Sequence, residues 1–311
     1  MPNIFPLKPN QLHAFVAVVE QMSIRGAARV LGLSQPAVTK IVRELEREVG
    51  APLVERSVKG VRLTQFGEAF APRARLLLAD MRRARDEIAQ IRDGATGTVS
   101  VAVSTSFALT VLPAAFKTFH EQLPAVEVRF SEAVLPSMLD GLRDGRLDFA
   151  VAHVVPGTLD PQFESFELFA VRLFVGARKR HPLRHVRTLK ELHDAEWVLP
   201  GDGDVGRNSV LPLFSPHGLE APRRVIQGQS VTVALALVGH MDLVGLFVEP
   251  LAQLAFSQHG IRRIEIEDVL PTLRVCVLQR RGRAPTPAAQ CFVECIAQAA
   301  AALDLRPSEA A

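Results

Sequence analysis

No apolar run in these 311 residues approaches the roughly 18 to 20 uninterrupted residues that a bilayer-spanning helix needs. The opening stretch, Met1 to His13, also lacks the apolar core of a secretory leader. No membrane contact is expected, and the expected location is the cytoplasm. Cysteine is scarce. Cys276, Cys291 and Cys295 form no CxxC pair and meet no second Cys/His cluster at zinc spacing. Cys291 and Cys295 stand four apart in an apolar helical stretch, which favours buried small hydrophobes and leaves a redox role open. His181-Pro182-Leu183-Arg184-His185 has no Cys or carboxylate at a usable distance in sequence, so no metal site is expected. Catalytic signatures are missing as well: there is no GxSxG elbow, P-loop, HExxH or matched acid/base set. No catalytic residue, no enzyme and no cofactor are therefore expected. A literal GxGxxG does occur at Gly201-Asp202-Gly203-Asp204-Val205-Gly206. Its two aspartates would repel a pyrophosphate, the next strand ends in Gln227 where a ribose needs an acid, and Pro212 limits the following helix.

What is present belongs to an ordinary globular protein, 48% hydrophobic and 22% charged. The length is enough for two or three domains, each with its own core. A net charge of +3 is too small to announce a nucleic-acid partner, but its placement is uneven. Residues 1–62 carry nine Lys/Arg against five Asp/Glu, an excess of four, which leaves the remainder at about −1. A small basic module joined to a near-neutral one follows, and by charge alone DNA binding is only one reading.

In the basic module Leu12, Phe15, Val16 and Val19 recur at helical spacing. Ser23 is a good N-cap for a second helix carrying Ala27, Ala28 and Leu31 up to Gly32. Small residues at 28 and 32 suit two helices that cross closely through a tight turn. Ser34 then caps a third helix, with Pro36 tolerated in its first turn, running to about Glu48. Val38, Ile41, Val42 and Leu45 form its inward stripe, leaving Gln35, Pro36, Thr39, Lys40 and Arg43 on the opposite face. That chemistry suits a DNA groove: Gln pairs with adenine, Lys and Arg with guanine or phosphate, and Thr offers a methyl and a hydroxyl. A merely solvated face is the alternative. Beyond Gly50, Pro52 to Arg56 and Val61 to Thr64 read as a hairpin with Arg56, Lys59 and Arg62 at its tip. Such a wing could touch flanking phosphates or the minor groove, or be no more than an exposed basic turn.

From Thr64, a plausible N-cap, one long helix is expected to end near Arg92, before Gly94-Ala95-Thr96-Gly97. Phe70, Ala74, Leu77, Met81, Ala84, Ile88 and Ile91 recur at alternating steps of four and three, a heptad seam. The narrow stripe, flanked by charge, suits a two-helix contact. Ala74, Leu77, Met81, Ala84 and Ile88 are the candidate dimer residues, with packing on the chain's own body as the alternative.

The run from Ser23 to Phe70 resembles the DNA-binding region of LysR-type transcriptional regulators. It joins the small-residue turn, the Ser-Gln-Pro-Ala helix start at Ser34, Leu45-Glu46, Pro52-Leu53-Val54-Glu55-Arg56, Gly60-Val61-Arg62-Leu63-Thr64 and the helix that follows. The resemblance implies that Gln35, Pro36, Thr39 and Lys40, behind the Ser34 cap, approach base edges of double-stranded DNA. Arg43, Arg56 and Lys59 would lie at phosphate or minor groove. It further implies a homodimer or homotetramer, with RNA polymerase as a candidate partner. It covers about the first 93 residues strongly and the rest mainly in layout.

After residue 97, Thr98 to Val103, Val126 to Phe130 and Asp148 to His153 read as strands alternating with helices, which implies a parallel sheet covered on both faces. Ligands in such sheets settle at the carboxyl ends of strands. Ser104, Thr105 and Ser106 could hold a carboxylate there or simply cap a helix. A second alternation, Leu168 to Val175, Trp197 to Leu199, Arg224 to Ile226 and Leu243 to Val248, fits two α/β lobes with a cleft better than one large sheet. The resemblance implies the same architecture, similar to periplasmic solute-binding proteins, with the chain crossing near Val171 and returning near Pro271. His153, Pro200, Gly203, Ser230, Thr232 and Phe247 would then join Thr105 near the cleft, and Phe107, Leu109 and Phe247 would suggest a small acid or an apolar or aromatic effector. The expected organisation is a winged helix-turn-helix at 1–63, a dimerising linker helix at 64–93 and an effector-binding domain at 94–311. Within the last, lobe I takes about 98–170 plus 271–311 and lobe II about 171–270. An enzyme or a plain solute-binding protein is the competing class.

Overall fold

Serine caps and glycine turns punctuate the N-terminal unit. The computed structural model describes residues 7–57, 60–93, 96–200, 211, 214–228 and 230–302, and the chain divides into two compact units. One is residues 1–92 with 143–146, the other is the remainder. Helix α1 (Pro9–Gln21) is followed by α2 (Ile24–Leu31), where the Ser23 hydroxyl accepts from the Gly26 N–H at 3.1 Å. Gly32 ends α2 at φ +66°, a conformation that costs glycine nothing. Ser34 then opens α3 (Gln35–Val49), accepting from the Ala37 N–H. The three helices close on Ala14, Val18, Ala27, Ala28, Val38 and Val42. Buried Gln11 donates to Glu48 at 3.0 Å and ties α1 to α3.

The hairpin β1 (Val54–Ser57) and β2 (Gly60–Leu63) pairs Arg56 with Val61 and Glu55 with Arg62. Three anchors fix its root. Glu46, on α3, accepts from the Leu53 and Val54 N–H groups at 2.8 and 3.1 Å. Thr64 donates to the Pro52 carbonyl and accepts from the Gly67 N–H. The Val61 N–H donates to the Met22 carbonyl at 3.0 Å. A Cβ on Gly60 would stand 2.6 Å from that same carbonyl, so the close approach of β2 to the α1–α2 turn requires glycine. Helix α4 (Gln65–Asp93) has 29 residues, about 43 Å of rod. Its first turns complete a second small core in which Ala71 and Ala74 meet Leu12, Phe15, Leu45 and Leu53.

The second unit is built on a nine-stranded sheet. Its strands are β3 (Thr98–Val103), β4 (Glu127–Glu132), β5 (Phe149–Val154), β6 (Phe163–Arg178), β7 (Glu196–Pro200), β8 (Val225–Gly228), β9 (Leu243–Val248), β10 (Ile261–Ile264) and β11 (Thr272–Arg280). The order is β4-β3-β5-β11-β6-β9-β7-β8, with β10 also on β6. Helices α5 (Thr105–Thr110), α6 (Leu112–Gln122), α7 (Leu135–Arg143), α8 (Val231–His240), α9 (Glu249–His259) and α10 (Pro287–Ala302) cover it.

The sheet is mixed where a parallel one is expected from the alternation. β3 is parallel to β4 and β5, and β7 to β8 and β9, but β6, β10 and β11 run antiparallel to their neighbours. Nor do the lobes have separate sheets. The 16 residues of β6 extend about 50 Å, long enough to serve both. Phe163 to Arg172 pair with β11, whereas Leu173 to Ala177 pair with β9 and Val175 to Arg178 with β10. The crossover is thus a change of partner along one unbroken strand. One face carries Phe107, Phe119, Phe149, Phe292, Phe174 and Phe247, with the Phe119 and Phe292 rings stacked at 4.5 Å. On the other face Met138 and Leu142 close β3, β5 and β11, while Trp197, Phe214 and Leu189 close β7 and β9. Cys276 and Cys295 are buried, and burial pushes both thiols up to about 11, away from the reactive thiolate. Among the described residues no helix is long and apolar enough to cross a membrane.

Candidate nucleic-acid interface and effector cavity

The third helix is two-faced. Val38 and Leu45 are 0% exposed and Val42 is 2% exposed, while Gln35, Pro36, Lys40, Arg43 and Arg47 face solvent and Thr39 is half-buried. The outward residues, Thr39 included, line a concavity of about 430 Å³. Thr39 Oγ1 donates to the Gln35 carbonyl at 3.0 Å, so its hydroxyl proton serves its own helix and its methyl stays available. Lys40 lies 3.9 Å from Glu44, an exposed pair worth about 0.3 kcal/mol that leaves the ammonium free to move. Arg47 was not among the expected contacts, although its place one turn beyond Arg43 was readable from helical spacing. Ser34 is exposed and occupied as the cap. Arg56 sits on β1 opposite Val61; Lys59 lies outside the described residues.

Along α4 the expected seam is divided. Phe70 meets Phe15 with ring centres 5.5 Å apart, and Ala74 is fully buried in the unit's own core. Ala74 is therefore not free to face a second helix. Leu77, Met81 and Ile88 are 44, 49 and 64% exposed, and Ala84 is exposed too. Apolar side chains on one stripe of a helix, open to water, are what an unfilled helix contact requires.

In the second unit the carboxyl ends of β3, β4 and β5 bring polar groups together. Ser104 precedes α5 and is buried, its hydroxyl without a hydrogen-bond partner. Thr105 donates from Oγ1 to Glu132, the last residue of β4. Ser106 Oγ lies 3.0 Å from His153 Nε2. His153 keeps some solvent-accessible surface, yet the protein packed around its ring lowers its pKa to about 4 by desolvation. Its imidazole is neutral at pH 7. The expectation of a carboxylate at Ser104 to Ser106 meets a carboxylate already there, that of Glu132.

Thr105 and Thr232 share the lining of a cavity of about 380 Å³ with Leu109, Leu235, Leu251, Gln258 and His259. Ser230 caps α8, accepting from the Val233 N–H. Pro200 ends β7, paired with Gly228; Gly203, with the whole GxGxxG stretch, lies outside the described residues. Phe247 is not a cavity residue. It is buried between Phe174 and Phe256, 5.1 Å from the latter at right angles. Phe107 is likewise core, so of the three expected apolar residues only Leu109 reaches the cavity. Leu235, Leu251, Gln258 and His259 carried no motif; only the folding of α8 and α9 against α5 brings them in.

Two family models match the chain. Residues 9–68 match the bacterial regulatory helix-turn-helix protein of the lysR family, and residues 92–301 match the LysR substrate binding domain. The regulator GbpR of Rhizobium radiobacter is 30% identical over 256 residues, covering 81% of this chain and 84% of the relative. The regulator TdcA of Escherichia coli K12 is 29% identical over 299 residues, 94% of each chain. The crystal structure of CbnR, a LysR family transcriptional regulator, superposes with a TM-score of 0.67 at 24% identity, covering 94% of this chain and 99% of that one. A crystal structure of CbnR complexed with its target DNA superposes at 0.64, again at 24% identity, over 94% and 100% of the two chains.

Proposed function

The chain belongs to the LysR family of DNA-binding transcriptional regulators with an effector-binding domain, and on that premise we propose which of its residues do the work. Gln35, Thr39 and Lys40 read base edges from α3, with Pro36 against the groove wall. Arg43 and Arg47 hold phosphates, and Arg56 and Lys59 extend the footprint from the wing. The observation that carries this is the two-faced α3: one side sealed in the core, the other forming an open, basic concavity. Phosphate contacts set register and base contacts set sequence. Two α4 helices pair through Leu77, Met81, Ala84 and Ile88, giving a homodimer whose two recognition helices meet two half-sites. Further pairing to a tetramer and a contact with RNA polymerase complete the assembly on the promoter. The 380 Å³ cavity takes a small-molecule effector, with Thr105 and Thr232 in its lining. The chain works by binding and not by catalysis, in the cell's interior where its DNA lies.

Footprinting on the intergenic region beside the protein's own gene tests this directly. Two protected half-sites on one face of the duplex are expected. Wild-type protein that protects nothing there, and enriches no sequence from genomic fragments, would overturn the assignment.

A further inference from the structure

The effector cavity is electrically biased. Its lining contains no Lys or Arg among the described residues; the polar groups are Thr105, Thr232, Gln258 and His259, against Leu109, Leu235 and Leu251. Among the described residues, the formal charge bonded to a lining residue is negative, because Thr105 Oγ1 donates its proton to the Glu132 carboxylate. His153, engaged with Ser106 beside it, is neutral and supplies no compensating cation. Three helix ends border the space. The first turns of α5, with Thr105, and of α8, with Thr232, offer positive dipole ends, and the last turn of α9, with Gln258 and His259, a negative one. Each is worth at most about half an elementary charge, so together they do not outweigh the full charge of Glu132.

From this we infer that the effector carries a hydrogen-bond-donating head, an amine or a hydroxyl, on a small apolar body, and is not a carboxylate. The inference rests on the cavity being the effector site. The donor head meets the Glu132 carboxylate and the Thr105 oxygen, which has lone pairs left once its proton is committed. The body lies along Leu109, Leu235 and Leu251. A carboxylate head would place like charges together, without the guanidinium or ammonium that such ligands normally receive.

Two matched probe sets test it on the full-length protein by calorimetric titration and thermal melting. They are benzylamine, benzyl alcohol and benzoate, and isopentylamine, isopentanol and isovalerate. In at least one set the amine or alcohol is expected to bind tenfold or more tighter than the acid. Glu132→Gln, an exposed change on an edge strand, is expected to bring amine and acid within about threefold of each other. Tighter binding of the acid, or an amine preference that survives Glu132→Gln, overturns the head-group inference and leaves the cavity as the effector site. If none of the six raises the melting temperature, the cavity itself is not a small-molecule site, and the wider reading falls with it.

Discussion

At the scale of single residues, Lys40 and His153 make opposite demands on water. Lys40 is exposed to water in the free protein; in the proposed interface its ammonium replaces counterions in the DNA groove, so Lys40→Ala should weaken operator binding by about 1 to 3 kcal/mol and blunt its salt dependence. Fluorescence anisotropy over a salt series measures both, and a variant with unchanged affinity and slope would remove Lys40 from the interface. His153 is held neutral by burial, with a pKa near 4 in the fold against about 6.5 in an unfolded chain. Between those values the unfolded chain binds the extra proton, so stability rises with pH from 4 to 6.5 and is lost as pH falls through the same window. The loss is at most about 3 kcal/mol. His153→Gln should reduce the acid sensitivity of melting across that window; an identical pH profile would show that the histidine does not carry it. Phe107 and Phe247, by contrast, mislead when read from sequence. Phe247 lies in β9, which is apolar throughout and buried on both faces, so spacing gives no clue to which way its ring points. Phe107 lies in a six-residue helix too short for a stripe to fix its buried side.

At the scale of elements, most of the N-terminal unit was readable. Ser23, Gly32, Ser34 and Gly50 each mark a boundary by a local rule, and the helical stripes of α1 and α3 are complete in themselves. The linker stripe was readable only in part. Heptad spacing cannot say that Phe70 and Ala74 are used inside the chain, because that depends on where α1 lies. The free portion still makes a sharp prediction: Met81→Asp would bury a carboxylate in each copy of the seam, and sedimentation velocity should show the dimer replaced by monomer. An unaltered profile would place the oligomer contact elsewhere. The wing's rivets were invisible for the same reason. Glu46 reaches residues seven and eight positions away, and nothing in spacing singles it out from Glu44 or Glu48. Glu46→Gln keeps a single acceptor oxygen, whereas Glu46→Ala leaves two N–H groups without their partner. Alanine should therefore cost about 1 to 3 kcal/mol of stability by denaturant unfolding, and glutamine clearly less. Equal losses in both would mean that the carboxylate is not what holds β1.

At the scale of the whole molecule, the sequence's alternation of strands and helices shows two lobes but hides how they are joined. β6 and β11 form the join, and they pair residues more than a hundred positions apart, as Phe163 does with Arg280. The cavity is lined from α5, α8 and α9, and β6 runs unbroken through the sheet that these helices cover. In the proposed function the cavity and the DNA-reading helix belong to one chain, and any coupling between the two sites is reciprocal by linkage. Whatever factor a cavity ligand imposes on operator affinity, operator DNA must impose on the affinity for that ligand. For regulators the factor is commonly about 5 to 150. With the tightest of the six cavity probes, titration in the presence and absence of saturating operator duplex should give two dissociation constants. Their ratio should equal the ratio of operator affinities measured with and without the probe. Equal constants in both titrations, with probe and DNA each demonstrably bound, would mean that the two sites do not communicate, and that the ligand acts on some step other than DNA binding.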